Sequence, residues 1–595
     1  MNFKQLAKYL QKLEETTVRN QMTEILAELF SKSDKKELGK MCLLLQGRVA
    51  PLYEAVEFGL AEKMIIRAIA EGLSESIDKV TEEFKKDGDL GITTERIKNK
   101  KVKSKITNKN LKINEVFRVL SKIATAGGGG SQEKKIKLMG KLIKDLDPLS
   151  CRYVVRIPIN KLRLGFSDMT ILDSLSWMIS GSKELRPEIE RAYNVRPDIS
   201  FISETLKDKG INGLKRVEPE VGIPILMAKA ERMGSSEEII DKIGKCAVEP
   251  KYDGFRVQCH INKNEDRIEI KLFSRNLENV TEMYPDIIKG LKIQIDERKA
   301  IIEGEAVAYN PNTGEYLPFQ ETVQRKRKYN IEAKAKEIPL KLFAFELLYK
   351  NGKSFLNEPY KKRREELEGT VRSGETIILS DEKETDDPKE LENIFDHAVS
   401  RGLEGIMAKK LDGIYRAGSR DFAWIKFKRS YAGKLLDTID CVVMGYDFGQ
   451  GKRSDFGIGD FLIGVYDKEN DKYLTVAKIG TGLTDEEWKL IKERSDKLKV
   501  NSKPNNFEVD KLMECDVWIE PSIVVEIRAD EITRSPVHTA GREMGPTKTG
   551  NAQEVKQAGY ALRFPRLERF RDDKKPTDAT TIGELYKMYN KQLRK

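Results

Sequence analysis

Cysteine and histidine are scarce in this chain: six cysteines and three histidines occur among 595 residues. Cys42, Cys151, Cys246, Cys259, Cys441 and Cys515 stand singly, with no CxxC pair. That spacing argues against a structural zinc site and against a disulfide framework. Long apolar runs are missing too, and none approaches the roughly 20 residues that span a bilayer. The opening Met1-Asn2-Phe3-Lys4 lacks the apolar stretch of a secretory signal, so the expectation is a protein that stays inside the cell. No internal repeat or low-complexity domain is evident.

Charge is abundant instead. Charged residues make up 34% of the chain and hydrophobic ones 39%, in a length sufficient for three or four domains, each with its own core. A formal charge of +11 and a pI near 8.9 suit a polyanionic partner, or simply a well-solvated surface. Many Lys and Glu beside few His and Cys also suit a protein from a hot environment, where ion-pair networks are favoured.

The first third reads as helical. Leu6, Tyr9, Leu10 and Leu13 fall at the i, i+3, i+4, i+7 spacing of one apolar stripe. Gly127 to Gly130 and Ser131 lead into a helical pattern from Gln132 to Leu142, so backbone amides and a helix N-terminus could face a phosphodiester. Lys161 to Asp168 places bases, a glycine and an N-cap candidate together. Read alone, each of these is an ordinary loop before it is a phosphate contact. Lys98, Lys100, Lys101, Lys103, Lys105, Lys109 and Lys112 form a basic stretch, read as a solvated mobile loop or a nonspecific DNA contact.

Around Val217 to Pro224 a proline-punctuated connection ends the helical pattern, and the period changes to that of strands. Val257, Cys259 and Ile261 alternate, as do Ile268, Ile270 and Leu272, predicting a hairpin. A second change near Leu435-Leu436-Asp437 opens a run of short strands: Cys441 to Tyr446, Asp460 to Tyr466, Leu474 to Ile479 and Val517 to Arg528. A capping box at Thr484 to Glu487 starts one intervening helix. Short strands in a basic module suggest an OB-like barrel.

The middle third carries the chemistry. Lys251, in Glu249-Pro250-Lys251-Tyr252-Asp253-Gly254-Phe255-Arg256, stands beside a turn, where a lysine can attack a nucleotide phosphate. Free lysine titrates near ~10.4, so such a nucleophile needs cationic neighbours or metal ions, and carboxylates to hold the metals. Glu303 and Glu305 lie two apart on a strand pattern and so share a face. Phe343 and Phe345 do the same, and one ring could stack on a purine. Glu404 lies in another strand pattern beside Gly405. Lys426 and Lys428 share a face and could contact an α-phosphate. Taken singly, these segments also read as a structural ion pair, core packing and a solvated edge strand.

The ordered set KYDGFR, SRN, EGE, FAFELLY, EGIMAK and WIKFK resembles the covalent nucleotidyltransferase superfamily. The chain is similar nearly end to end to ATP-dependent DNA ligases of the archaeal type, akin to eukaryotic DNA ligase I. Leu317-Pro318-Phe319-Gln320, Gln324 to Lys328, Leu562 to Arg566 and Arg571-Asp572-Asp573-Lys574 add to the likeness.

The resemblance implies a multidomain fold: an all-α DNA-binding domain at 1–220, an α+β nucleotidyltransferase (adenylation) domain at 221–434 and a β-barrel OB-fold domain at 435–595. It implies that Lys251 is adenylylated and that Glu249 lies beside the adenine edge. Arg256 and Arg275 would bind ribose and phosphate groups, and Phe345 would stack on adenine. Glu305 and Glu404 would act in metal binding, and Lys426 and Lys428 on the α-phosphate. Arg571, Asp573 and Lys574 would orient pyrophosphate. ATP with Mg²⁺, or Mn²⁺ as a substitute, would serve as cofactors, and nicked duplex DNA as partner of a monomer. For an archaeal source, the place of action would be the cytoplasm, associated with the nucleoid.

Archaeal relatives use a glutamine-led motif with two aromatics to bind a sliding clamp, whereas Lys100 to Thr107 has no aromatic pair, which argues against a clamp contact there. An RNA ligase or an mRNA capping guanylyltransferase shares the lysine chemistry, yet neither accounts for the long helical N-terminal region. An NAD-dependent ligase would need a four-cysteine zinc module. A DNA-binding scaffold with a dead transferase fold is the non-enzymatic alternative, and the joint presence of Lys251, Glu305, Glu404, Lys426 and Lys428 argues against it.

Overall fold

The computed structural model describes residues 1–102, 109–265, 267–311, 314–317, 319–327, 330–372, 374–401, 403–428, 438–449, 457–481, 483–546 and 553–593. The expected boundary near Leu435 to Asp437, and Lys103 to Thr107, lie outside these residues. The chain forms two compact units, Met1–Phe427 and Lys428–Lys595.

The first unit opens with helices and no strand as far as Lys215, among the described residues. Helix Phe3–Glu14 buries Leu6, Leu10 and Leu13 along one side, as their spacing dictates, and Asn2 caps it with a reciprocal Gln5 contact. Helix Ser131–Asp145 follows Gly130, which adopts φ 72°, and Gly128 has φ 80°. Side chains rarely adopt such angles, so the glycines make this turn possible.

The basic stretch is not uniformly solvated, contrary to the expectation for Lys98. Lys98 lies on helix Leu90–Val102 and is fully buried. Its ammonium donates to the Ile143 and Lys144 carbonyls, the latter at 3.1 Å, and to that of Leu146. These are orphan carbonyls at the end of helix Ser131–Asp145, where a cation is favoured. Lys101 pairs with Glu75 at 2.8 Å, and Lys109 with Asp145 at 2.9 Å.

Two sheets follow in the same unit. One has the order Lys229–Arg232, Arg420–Lys428, Gly405–Lys410, Cys246–Lys251, Lys383–Thr385. The other runs Ile268–Ser274, Phe255–Lys263, Lys299–Ala308, Leu340–Lys350, Lys353–Ser354, with Ile377–Leu379 also pairing Leu340–Lys350. The predicted hairpin is present, and Val257, Cys259, Ile261, Ile270 and Leu272 lie together in the core beneath it.

A buried polar chain ties the connection after the helices to the second sheet. The Gly222 amide donates to His260 Nδ1 at 3.0 Å, so the ring carries its proton on Nε2, which faces Gln258 Oε1 at 2.8 Å. Gln258 also accepts from the Ile225 amide and donates to Glu303 Oε1 at 2.9 Å.

The second unit is rich in strands. Its main sheet runs Lys499–Val500, Val517–Ile519, Ile439–Asp447, Asp460–Asp467, Lys472–Ile479, Phe507–Glu508, with Val524–Arg528 joining Ile439–Asp447 to Arg566–Phe570. Among the described residues this path has two ends and does not close, so a strand-rich domain is established and a closed barrel is not. The expected single strand Val517 to Arg528 is broken at Glu520 to Ile523, where Pro521 supplies no ladder donor. Helix Asp485–Asp496 starts with the predicted Thr484 and Glu487 capping box.

Candidate active site

Lys251 ends one sheet's strand, and Tyr252-Asp253-Gly254 carries the chain directly into strand Phe255–Lys263 of the other. The nucleophile candidate therefore stands at the junction of the two sheets. Gly254 presses against strand Lys299–Ala308 so closely that a Cβ there would lie 2.2 Å from the Ala306 carbonyl oxygen. Only glycine permits that approach.

Antiparallel register sets Gly405 opposite Lys251 and Met407 opposite Glu249. Glu404 stands one residue before its strand rather than within it, and its amide donates to the Lys251 carbonyl at 3.1 Å. The Lys251 ammonium and the Glu404 carboxylate form an ion pair. Glu305, opposite Arg256 in the other sheet, is half-buried near them. Burial pushes its carboxyl up to about 7, the cations Lys251 and Arg256 opposing the shift and the Glu404 and Asp253 carboxylates adding to it.

Glu303 shares that face but is spent within the protein. Its fully buried carboxylate accepts from Arg256 at 2.5 Å, Tyr415 at 2.9 Å and Gln258. Arg256 also donates to the Ala228 carbonyl at 2.7 Å and lies over the Phe345 and Trp424 rings.

Phe345 occupies a β-bulge, since Ala344 pairs with Gly304 and Glu346 with Glu303, which leaves Phe345 the extra residue. The half-buried ring meets Trp424 edge-on at 6.0 Å. Phe343 is core instead, stacked on Tyr252 at 4.0 Å. Behind the bulge, Glu346 holds Arg363 in a fully buried bidentate pair at 2.8 and 3.0 Å.

Glu249 is 2% exposed. Tyr360 donates to its Oε1 at 2.6 Å, and Lys409 pairs with Oε2 at 2.8 Å. Burial raises its carboxyl pKa, and Lys409 opposes the rise. Lys409 also donates to the Phe345 carbonyl at 3.0 Å and lies within 5 Å of the Phe345, Tyr360 and Trp424 ring centres. Sequence reading passed over Lys409, Tyr360, Tyr415 and Trp424. Two of these carried a local signal: period two sets Lys409 on the face of Met407, and Trp424 on the face of Lys426 and Lys428.

On strand Arg420–Lys428, Ile425 and Phe427 enter the core while Lys426 and Lys428 are half-buried on the face that also bears Trp424. Arg275 is exposed in the turn after strand Ile268–Ser274. In the second unit, Arg571 donates to Asp573 at 2.9 and 2.8 Å and to Asp440 Oδ1 at 3.0 Å. Lys574 donates to Asp440 Oδ2 at 2.6 Å. The structure thus gathers Lys251, Glu404, Glu305, Arg256 and Phe345 where the two sheets meet, and Arg571 and Lys574 around Asp440.

Three family models match in succession: DNA ligase N terminus over residues 2–176, ATP dependent DNA ligase domain over 227–428, and ATP dependent DNA ligase C terminal region over 454–574. A probable DNA ligase of Dictyoglomus turgidum is 48% identical over 593 residues, covering 100% of this chain and 98% of the relative. The chain belongs to the ATP-dependent DNA ligases. A DNA ligase of Sulfurisphaera tokodaii is 39% identical, with 100% of this chain and 98% of that protein aligned. A solved structure titled Pmar-Lig_PreS3 shares the ligase fold at a TM-score of 0.52 and 16% identity, covering 95% of this chain and 99% of its own. A helical N-terminal region, a central adenylation domain and a strand-rich C-terminal domain are therefore the architecture of this ligase. Among the described residues no helix is long and apolar enough to cross a membrane.

Proposed function

We propose that this ATP-dependent DNA ligase seals nicks in duplex DNA through a phosphoramidate on Lys251. The observation that carries the assignment is the Lys251 ammonium at the sheet junction, paired with Glu404 and near half-buried Glu305.

In the first step, the Lys251 amine, once deprotonated, attacks the α-phosphorus of ATP. A P–N bond forms and pyrophosphate leaves. Phe345, half-buried at its bulge, stacks on the adenine, and Glu249 lies at the base edge. Lys426 and Lys428 stabilise the α-phosphate as charge builds there. Arg256 and Arg275 bind ribose and phosphate groups, Arg256 through the part of its guanidinium that Glu303 leaves available. In the second step a 5'-phosphate at the nick displaces Lys251 and takes the adenylate. In the third the adjoining 3'-hydroxyl displaces AMP and closes the strand.

Glu305 fits a divalent cation, because it is a half-buried acid near the Lys251 and Glu404 pair, where the Glu404 and Asp253 carboxylates add to the negative charge that a cation would neutralise. Among the described residues no three His, Cys, Asp or Glu side chains converge as a self-sufficient metal site. Mg²⁺, or Mn²⁺ in its place, would be held by Glu305 and Glu404 with phosphate oxygens and would neutralise charge as bonds exchange.

Pyrophosphate must be held for departure in the first step, whereas duplex must occupy the opening in the second. The C-terminal domain, an OB-type barrel in this reading, swings between the two, with Arg571 and Lys574 facing the nucleotide first. The DNA-binding domain at 1–220, the adenylation domain at 221–434 and the barrel at 435–595 each contact backbone, so a monomer grips DNA in a salt-sensitive way that is indifferent to sequence.

The test uses α-labelled ATP and nicked DNA. Label retained through denaturation, lost in Lys251→Ala, followed by transfer to a nick, supports the reading. Label that washes away on denaturation overturns it.

A further inference from the structure

We propose that Asp440 is a positioning residue that stands in for pyrophosphate, an internal anion which Arg571 and Lys574 leave to engage the nucleotide and to which they return. The proposal rests on the reading that these two cations bind the leaving group.

Its basis lies wholly within the second unit. Arg571 and Lys574 are three residues apart, and one carboxylate joins them: Oδ1 takes the guanidinium at 3.0 Å and Oδ2 the ammonium at 2.6 Å. Two oxygens bridging a guanidinium and an ammonium reproduce what two oxygens of a diphosphate would offer.

Asp440 itself is fixed. Its amide donates to Thr580 Oγ1 at 3.0 Å, and its carbonyl accepts from the Thr580 amide at 2.9 Å. Glu526 stands directly opposite Asp440 in the paired strands. Like charges so placed repel unless cations lie between them, and Arg571 reaches both, Glu526 at 3.5 Å. Arg569 pairs with Glu526 at 2.6 Å.

When Lys574 and Arg571 turn to a polyphosphate, the two carboxylates are left facing each other with less countercharge. That repulsion opposes nucleotide and pyrophosphate binding alike and favours return of the cations once the α-phosphate has been transferred. The carboxylate thereby limits affinity for the leaving group and speeds its departure.

The experiment compares full-length wild type, Asp440→Asn, Asp440→Glu and Lys574→Ala in self-adenylylation, in pyrophosphorolysis of the adenylylated enzyme, and in sealing of a pre-adenylylated nick. Asp440→Asn keeps the shape but not the charge. It is expected to lower the KM for ATP and the pyrophosphate concentration for half-maximal reversal about fivefold each, with sealing of the pre-adenylylated nick unchanged. Asp440→Glu is expected to behave as wild type.

Constants for Asp440→Asn equal to or above those of wild type, while Lys574→Ala impairs adenylylation, overturn the role of Asp440 and leave the leaving-group reading intact. Unimpaired adenylylation in Lys574→Ala overturns that reading itself. A protein damaged merely in folding would lose pre-adenylylated sealing too, and that outcome also counts against the proposal.

Discussion

Lys251 and Glu404 are joined twice, through the Glu404 amide on the Lys251 carbonyl and through the ion pair of their side chains. The first contact sets the height of the strands, and the second aims the ammonium. Lys251→Arg keeps the positive charge but not the primary amine proposed as the nucleophile. Intact-mass spectrometry after exposure to ATP should show no adenylate on the variant, while its unfolding midpoint stays near that of wild type.

Glu404→Gln keeps the shape and removes the charge that holds Lys251. Self-adenylylation should fall ~100-fold or more, the scale of losing one electrostatic group from a site of this kind. Single-turnover rates at saturating ATP measure it, and a rate within threefold of wild type would remove Glu404 from the machinery.

Phe345→Ala removes the ring that the bulge presents. Stacking contributes about 0.5–1.5 kcal/mol, so the KM for ATP should rise by up to about tenfold with little change in sealing of a pre-adenylylated nick. An unchanged KM would assign Phe345 to packing against Trp424 alone.

The Glu346 and Arg363 pair is fully buried, and removing one partner strands the other. Glu346→Ala should cost about 3–5 kcal/mol of stability in the first unit. Denaturant unfolding followed by tryptophan fluorescence would report it, since Trp424 lies nearby.

His260 gives stability a pH dependence of known sign. Burial lowers its pKa from 6.5 to about 3, so the unfolded chain binds a proton that the folded one refuses across that window. Its contribution is present above about pH 6.5 and is lost as pH falls towards 3, by at most about 1.4 kcal/mol per pH unit. Protonation would also remove the acceptor that holds the Gly222 amide. The unfolding midpoint should fall between pH 7 and 4.5, and fall less in His260→Gln.

What could be read in advance was what chain-local periodicity encodes. Period two placed Glu303 and Glu305 on one face, and the capping box announced helix Asp485–Asp496, because those signals lie within a few residues. Pairing across long stretches was not legible. Glu303 is claimed by Tyr415, 112 residues away, and Arg571 and Lys574 by Asp440, more than 130 residues away. Lys98 misled for the same reason: a lysine among lysines reads as solvated, and only the fold brings a helix end over it.

Gly254 has a consequence for how the two sheets keep their alignment. Their spacing at the candidate site is set by main chain against main chain, which has no rotamers through which to yield. A methyl group at position 254 would act as a wedge, moving Lys251 relative to Glu305 while leaving every ionisable group in place. Gly254→Ala should thus give an enzyme with all of its chemistry present and none of it in line.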